Sequence, residues 1–478
     1  MKRFLSIIIF ALIGASGMWA KVTLPSFFSD NMVLQQNTEA AIWGWTDTGG
    51  KVTVSTTWAG AKFTATPDAD GKWMVRIPTP AAGGPYNIFI TDGDKSARSE
   101  LANVLIGEVW FCSGQSNMEM PVGGYGGQPA EGASDFILGA KANSPIRICN
   151  ITRKASLTPL SECEGSWSEN LPEVVSNTSA TAYFFAHKLQ EVLDIPVGII
   201  VSCWGGSTIE TWINRETLTS KFSKEFDLSF LDRDKIEGTE FQTPCTLFNG
   251  QVAPLVPFTF GGMIWYQGEA NRGRAEQYIR LQKEYVAMMR DLFKVPDAPF
   301  YFVQIASWPY DDPDGWTSGY FREAQAKSLE VIPNSGMAVT LDIGEYDTIH
   351  PHKKREVGNR LAYLALVKHY GLKGIDPDSP VYESVSFGNS EAIVTFKMDG
   401  RGLSPAGNLE GFEIAGADKV FHPADAHVQL WNNKVVVSSP DVPDPVAVRY
   451  CFRNWGVGTL FNNYGIPVGP FRTDNWDL

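Results

Sequence analysis

The chain has 478 residues, a formal net charge of −13 and 44% hydrophobic residues. Its length predicts two or three domains, with enough apolar residues for a large core. An acidic chain is a poor partner for nucleic acid, and no segment after residue 20 has the length and apolarity of a membrane span. We therefore expect no nucleic-acid partner and no membrane span in the mature chain.

Residues 1–20 have the pattern of an export signal. Lys2 and Arg3 precede an apolar run at residues 4–12, and small residues lead to Ala20. The run is too short to span a bilayer, whereas this order of segments is typical of a signal peptide. The pattern predicts an exported protein, periplasmic or secreted; the competing interpretation is a buried N-terminal strand.

Three regions follow, which differ in their hydrophobic rhythm. Residues 21–103 contain short alternating runs separated by Gly, Pro and Asp, which predicts an N-terminal β-sandwich-like domain. Residues 104–373 alternate apolar strands with amphipathic helices, as in an α/β domain with a largely parallel sheet. Residues 374–478 return to short strands and predict a second β module at the C-terminus.

The central region contains the longest predicted elements. Strands are expected at residues 104–112, 197–203, 262–266, 299–305 and 336–341, and helices at residues 181–193, 275–294, 320–332 and 354–370. In the last helix Val357, Leu361 and Leu364 share one face, so that face should pack on the sheet. The polar segment 215–242 is interpreted as an insertion over or beside the site.

The first central strand leads directly into Gly114-Gln115-Ser116-Asn117-Met118. Open α/β sheets bind ligands beyond the carboxyl ends of their strands, so a serine in a glycine-flanked turn there is a candidate nucleophile. The competing interpretation is that Ser116 caps the following helix. Because Met118 replaces the second glycine of a nucleophile elbow, the pattern disfavours the ordinary α/β-hydrolase fold.

A carboxylate precedes a histidine by three residues at Asp347 and His350, and Pro351 follows. Asp347 can reach the imidazole within one loop, so His350 is a candidate general base oriented by Asp347. The alternative groups Asp347, His350 and His352 as ligands of zinc or a similar ion. No His-Glu-x-x-His motif or second ligand cluster supports that alternative, so we expect no metal and no cofactor.

Two further motifs follow predicted strands, Trp-Gly-Gly-Ser at residues 204–207 and Trp-Tyr-Gln-Gly-Glu-Ala-Asn at residues 265–271. A tetrahedral oxyanion needs donors about 3 Å away, and a glycine N–H can approach where a Cβ would obstruct. The N–H groups of Ser116 and Gly206 and the amide of Gln267 are therefore candidate donors. The simpler interpretations are a tight turn at Gly206 and a loop braced by Glu269.

These motifs, in this order, resemble those of the sialate O-acetylesterase family within the SGNH (GDSL-like) hydrolases. The matching segments are residues 113–118, 204–212, 265–271 and 347–351, together with residues 24–35 and 470–476 near the two ends. The resemblance thus spans nearly the whole mature chain. Four ordered motifs are more specific than any single one.

The resemblance implies a flavodoxin-like three-layer SGNH hydrolase domain with Ser116 as nucleophile, His350 as base and Asp347 as orienting acid. It implies no metal. Gln267 stands where the wider superfamily has an asparagine that donates to the oxyanion. The implied protein is a serine esterase that removes O-acetyl groups from carbohydrate, above all sialic acid, through an acetyl-serine intermediate.

Two other functions stay open from the sequence. The same residues would serve an esterase acting on acetylxylan or another polysaccharide. A protein of another class would bind carbohydrate without catalysis through its β modules and 15 tryptophans; the complete set of Ser116, Asp347 and His350 speaks against it. A sialic acid substrate would bring a carboxylate, for which Arg272 and Arg274 are the candidate partners.

Overall fold

The computed structural model describes residues 22–47, 49–93, 98–399, 402–429 and 432–476. The predicted signal segment lies outside these ranges. Within them, eleven strands form one large sheet, and four smaller sheets accompany it. No helix in the described ranges has the length and apolarity needed to cross a membrane.

Seven strands precede the first helix. They are β1 (Val33–Gln35), β2 (Glu39–Trp45), β3 (Val52–Thr56), β4 (Lys62–Ala65), β5 (Lys72–Pro78), β6 (Gly83–Asp92) and β7 (Arg98–Gly114). Strands β2 and β5 form an antiparallel pair, whereas β1, β3, β4 and β6 are connected to the large sheet through β7. Buried and partly exposed residues alternate along β3, as the sequence pattern predicts for a strand with one face toward a core.

The long strand β7 belongs to two regions at once. Its first part pairs antiparallel with β6, and residues Leu105, Ile106 and Gly107 pair parallel with β1. Its second part lies at the centre of the parallel sheet, where every residue from 109 to 114 is buried. The predicted boundary between residues 103 and 104 therefore falls inside one continuous strand.

The central region alternates strands and helices, as predicted. Its strands are β8 (Ile146–Asn150), β9 (Trp167–Glu169), β10 (Val197–Cys203), β11 (Gly262–Tyr266), β12 (Phe300–Val303) and β13 (Ser335–Ala338). Its helices are α1 (Ser116–Glu119), α2 (Ala133–Gly139), α3 (Pro172–Asn177), α4 (Ala180–Leu193), α5 (Arg215–Phe222), α6 (Ala275–Phe293), α7 (Thr317–Val331) and α8 (Lys354–Leu364). Short 3₁₀ segments lie at Ile209–Trp212, Ser229–Asp232, Glu240–Gln242, Ala253–Leu255 and Glu269–Asn271, and π turns at Phe248–Val252 and Ala365–His369.

Five parallel strands of the central region run in the spatial order β10, β7, β11, β12, β13. Numbered along the chain without the outer strand β8, this is the 2-1-3-4-5 order of flavodoxin-like sheets. Strand β8 continues the sheet beyond β10 as a sixth parallel strand, and β9 pairs antiparallel with β8. The order reverses between β7 and β11, and ligands of such sheets bind at the carboxyl ends of the strands beside that reversal.

Helix α8 packs against α4 through a glycine. The predicted apolar face of Val357, Leu361 and Leu364 is buried, which confirms it. A Cβ added at Gly358 would lie 2.7 Å from the backbone nitrogen of Phe185 in α4. A glycine at this position therefore lets the two helix backbones approach closely.

The C-terminal region consists of short strands. They are β14 (Val381–Gly388), β15 (Glu391–Lys397), β16 (Leu403–Ser404), β17 (Asn408–Leu409), β18 (Phe412–Ala415), β19 (Phe421–Pro423), β20 (Asp425–Gln429), β21 (Lys434–Ser438), β22 (Ala447–Tyr450), β23 (Phe461–Asn462) and β24 (Phe471–Arg472). Phe396 of one sheet meets Phe471 of another edge to face, with ring centroids 5.5 Å apart. The last residues are bonded to the rest of the chain, because Arg449 makes two hydrogen bonds to Asp474 and Arg472 pairs with Glu323 of α7.

Candidate active site

Ser116 is the first residue of α1 and lies directly beyond β7, beside the reversal of strand order. Gly114 has a φ of +148°, and a Cβ there would collide with the backbone carbonyl of Tyr266 at the end of β11. Glycine therefore lets the Ser116 turn lie against β11. The helix cap is Gln115, so the interpretation of Ser116 as a capping residue is wrong. The serine is partly exposed and accessible to a ligand.

The side chain of Gln115 ties this turn to the loop after β11. Its Oε1 accepts hydrogen bonds from the backbone N–H groups of Gly268, at 3.1 Å, and Ala270, at 3.3 Å. Because Gln115 is buried, these bonds are shielded from competing water. The position of Ser116 is thus coupled to the loop that contains Gln267.

Two glycines lie beside Ser116. A Cβ added at Gly205 would be 3.3 Å from the Cβ of Ser116, and the Gly205 N–H donates to Glu119 Oε2 at 2.9 Å. Gly206 has a φ of +75°, which favours glycine. In the described part of the chain, the N–H groups of Ser116 and Gly206 donate to no protein acceptor. Both remain available to a developing oxyanion.

Gln267 is fully buried, and its amide is already engaged. Its Nε2 donates to Ser207 O at 3.0 Å and to Asn271 Oδ1 at 2.7 Å. A primary amide has two N–H donors, so these bonds use both. The hydrogen bonds favour a loop-bracing role for Gln267 over the predicted role of oxyanion donor.

His350 lies in the same neighbourhood as Ser116. The ring of Tyr125 contacts the His350 ring at 5.3 Å between centroids, and the Tyr125 hydroxyl donates to Ser116 O at 3.3 Å. The Nδ1 of His350 is 2.8 Å from Gln128 Oε1. An amide oxygen only accepts, so Nδ1 carries the proton and Nε2 has the free lone pair that a base requires. Burial and the positive charge of Lys354 lower the pKa of His350 to about 4, which keeps the ring neutral near pH 7.

Asp347 is exposed, and within the described ranges no hydrogen bond joins it to His350. Gln128 instead contacts Nδ1. His352 is directed elsewhere, because its Nδ1 lies 2.5 Å from Glu345 Oε1. Among the described residues, no group of three or more His, Cys, Asp or Glu is arranged to hold a metal ion.

Asn117, the residue after Ser116, lies in a buried polar cluster. Its Nδ2 donates to Glu269 Oε1 at 2.7 Å and to Ile349 O at 3.0 Å. Its Oδ1 accepts from the ammonium of Lys354 at 2.5 Å. This cluster therefore joins the Ser116 turn, the loop after β11 and the backbone immediately before His350.

Residues of the predicted insertion and two arginines lie around the site. The end of the predicted insertion lies beside Gly206, because Gln242 Nε2 donates to Gly206 O and the ring of Phe241 would contact a Cβ there. Arg274 is committed to Glu210 Oε1 at 2.6 Å, whereas the Arg272 guanidinium stacks on the Tyr310 ring at 3.6 Å. Of the two predicted carboxylate partners, Arg274 is therefore neutralised within the protein.

The sequence motifs indicated Ser116 and His350, which lie in one neighbourhood, but they did not indicate Gln128, which contacts His350, or Lys354, which contacts Asn117. Gln128 lies in a loop with four glycines between residues 123 and 127, a pattern that predicts a turn and no particular contact. Lys354 begins an amphipathic helix, where a lysine is ordinarily exposed. Asn117 and Glu269 lie within the matched motifs, and only their position in the fold indicates what they contact.

A flavodoxin-like sheet with a partly exposed serine, two unused backbone donors and a neutral histidine at its switch point is the arrangement expected of a serine hydrolase on an open α/β sheet. The family model for carbohydrate esterases described as sialic acid-specific acetylesterases matches residues 106–366, more than half of the chain. The chain belongs to this family. It is a carboxylic ester hydrolase that acts on carbohydrate, which confirms the prediction of an enzyme over a non-catalytic binding protein.

Individual relatives agree with this assignment. The sialate O-acetylesterase of Mus musculus is 26% identical over 487 residues, which cover 90% of this chain and 89% of the mouse protein. The sialate O-acetylesterase of Homo sapiens is 27% identical over 395 residues, which cover 75% of this chain and 73% of the human protein. The crystal structure of a carbohydrate acetylesterase from Xanthomonas citri superposes with a TM-score of 0.83 at 34% identity, covering 95% of this chain and all of that one.

Proposed function

We propose that this protein is a serine esterase that removes O-acetyl groups from sialic acid through an acetyl-serine intermediate. The observation that carries the proposal is the accessible Ser116 beside the unused N–H of Gly206, with a neutral His350 in contact with the same tyrosine as the serine. Membership of the acetylesterase family and the relatives named sialate O-acetylesterase support the choice of substrate.

In the first half of the reaction, Ser116 Oγ attacks the acetyl carbonyl while His350 Nε2 takes the hydroxyl proton. The carbonyl oxygen becomes negatively charged and accepts hydrogen bonds from the backbone N–H groups of Ser116 and Gly206. Gln128 Oε1 accepts from the Nδ1–H of the ring, so Nε2 keeps the free lone pair that this proton transfer needs. The protonated His350 then gives its proton to the departing sugar oxygen.

In the second half, water attacks the acetyl-serine with His350 again as base, and acetate leaves as Ser116 is restored. The imidazolium that forms in each half needs a negative partner. We assign that role to Asp347, whose exposed side chain is three residues from the ring and free to change rotamer. Gln128 thus orients the neutral ring, and Asp347 stabilises the charged one.

The test measures acetate release from O-acetylated sialic acid and from acetylated xylan side by side. We expect the wild-type enzyme to prefer the sialic acid ester and Ser116→Ala to lose activity on both substrates. Ser220→Ala, on the exposed surface of α5, is the control and should retain full activity. A preference for acetylated xylan would refute sialic acid as the substrate and favour a polysaccharide ester instead. An active Ser116→Ala variant would refute the serine mechanism.

The finer architecture and the location are also proposals. We propose that residues 21–103 and 374–478 are β-sandwich-like modules flanking the hydrolase region 104–373, which the Phe396–Phe471 contact between C-terminal sheets supports. The basic and apolar pattern of residues 1–20 supports export to the periplasm or the medium. Cell fractionation with an antibody to the mature protein, together with N-terminal sequencing, tests the export proposal.

A further inference from the structure

The mechanism above gives no role to Lys354, a buried charged group beside the site. Lys354 is 1% exposed, and its ammonium donates to Asn117 Oδ1. Its Nζ also lies 5.7 Å from the centroid of the Tyr266 ring. Burial of an ammonium group destabilises the fold unless a counter-charge or hydrogen bonds offset the lost hydration. Lys354 therefore needs a partner that offsets this cost.

The partner of Lys354 is Glu269, reached through Asn117. Glu269 Oε1 accepts from Asn117 Nδ2, whereas its Oε2 is shielded from solvent and has no hydrogen-bond partner among the residues that the structure describes. Burial lowers the pKa of Lys354 to about 7, although Glu269 and Glu345 oppose that change. Burial likewise raises the pKa of Glu269, while the Asn117 hydrogen bond and the charge of Lys354 lower it. Each charge thus offsets part of the other's desolvation.

This chain of three residues ends on the catalytic loop. The second proton of Asn117 Nδ2 is donated to Ile349 O, the carbonyl immediately before His350. The backbone N–H of Lys354 bonds to His352 O at 2.8 Å, which holds the other side of the same loop. The carbonyl before His350 is therefore held by an Asn117 side chain that the Lys354 ammonium contacts, whereas the bond after His350 belongs to the main chain and does not depend on that ammonium.

We propose that Lys354 is a positioning residue for His350, which it serves by holding Asn117 against the Ile349 carbonyl and by placing a buried positive charge near the imidazole. The inference rests on the proposed serine-esterase function and assigns a further residue to that site. The Lys354 ammonium is engaged with Asn117 and the Tyr266 ring. It acts through Asn117 and through its electric field at the ring.

The other polar and charged groups around His350 are neutral, paired with another residue or exposed. Tyr125 and Gln128 face the ring from the loop before α2, and Glu119 lies beyond Tyr125, paired with Arg153. From its own loop, Asp347 is exposed and Glu345 is paired with His352. Lys354 is the cation whose charge lowers the pKa of His350. A buried charge is screened less than an exposed one, so its removal should be visible in the pH dependence.

The test is the pH profile of kcat/KM for p-nitrophenyl acetate with full-length Lys354→Met. Loss of the positive charge makes the imidazolium easier to form, so the acid limb of the profile should move to higher pH by about one unit. We expect kcat to fall by about tenfold because the Ile349 carbonyl is no longer held rigidly. Lys353→Met removes the neighbouring, half-buried lysine and should leave both quantities unchanged.

A second comparison guards against a folding defect. Lys354→Met in a Glu269→Gln background removes both buried charges, and it is compared with Glu269→Gln alone. The same upward movement of the acid limb in this pair supports the proposal. A lowered melting temperature with an unmoved acid limb would overturn it and leave Lys354 a structural residue. Absence of Ser116-dependent hydrolysis in the wild type would instead refute the proposed function itself.

Discussion

The variant Gln267→Ala distinguishes two roles of Gln267, bracing the loop after β11 or donating to the oxyanion. Replacing it by alanine removes the hydrogen bonds from Nε2 to Ser207 O and Asn271 Oδ1, both in a fully buried setting. If Gln267 braces the loop, Gln267→Ala should destabilise the fold and disturb kcat and KM together. If it donates to the oxyanion, kcat alone should fall.

The expected loss in the free energy of unfolding depends on whether each acceptor of the lost hydrogen bonds keeps another donor. In the described residues Ser207 O has no other donor, so losing this bond leaves a buried acceptor unpaired, at about 1–3 kcal/mol. Asn271 Oδ1 still accepts from the Ile209 N–H, so the second bond is worth about 0.5–1.5 kcal/mol. Together the two terms predict about 1.5–4.5 kcal/mol beyond the loss of packing.

A matched control isolates those terms. Gln282 is equally buried, and its amide has no hydrogen-bond partner in the described part of the chain, so Gln282→Ala reduces packing without breaking a hydrogen bond within the protein. Denaturant unfolding of the two variants and steady-state kinetics on the same preparations give the comparison. Equal stability of the two variants, with kcat of Gln267→Ala reduced by about 10²- to 10³-fold at constant KM, would refute the bracing role and restore the oxyanion donor.

Four further outcomes are expected. Ser116→Ala should keep the wild-type melting temperature and lose esterase activity, and a phenylmethylsulfonyl reagent should label the wild-type serine while chelators have no effect; inactivation by a chelator, reversed by zinc, would favour the metal alternative. Gln128→Ala should lower kcat by about tenfold and Asp347→Asn by about 10²-fold or more, since one orients a neutral ring and the other stabilises its charged form; near wild-type kcat in Asp347→Asn would remove that residue from the mechanism. Because the pKa of His350 is about 4 and the base must be neutral, kcat/KM should be lost as the pH falls through about 4, and a limb above pH 6 would contradict the burial of the ring. Gly358→Ala should destabilise the fold by about 1–3 kcal/mol in denaturant unfolding, because backbone atoms of α4 cannot move aside for the added methyl group; unchanged stability would show that the helices separate freely.

The hydrophobic pattern predicted five strands of the central sheet because buried parallel strands are continuous apolar runs, but it did not predict the two edge strands β8 and β9. The predicted strands at residues 197–203 and 262–266 have the same bounds as β10 and β11. The neighbourhood of Ser116 and Gly205–Gly206 followed from the same principle, since the carboxyl ends of parallel strands meet at one edge.

The contacts within the site depend on features that a local pattern does not contain. Gln128 reaches His350 across 222 residues of sequence, and its glycine-rich loop has no periodicity to place it. The burial of Lys354 arises because the helix start is covered by the Ser116 turn and the loop after β11, a tertiary arrangement. The hydrogen bonds of Gln267 depend on the positions of Ser207 and Asn271, which no spacing rule specifies.

The continuity of β7 also limits how this protein can be divided or recombined. A fragment that starts at residue 104 would begin within a strand and leave the pairing edge of Leu105–Gly107 without β1. An unpaired edge at this point is a template for association with other chains. Exchange of the N-terminal region between relatives would have to retain Arg98–Gly114 intact, because one continuous strand joins the hydrolase sheet to its N-terminal neighbour and leaves no hinge at residues 98–114.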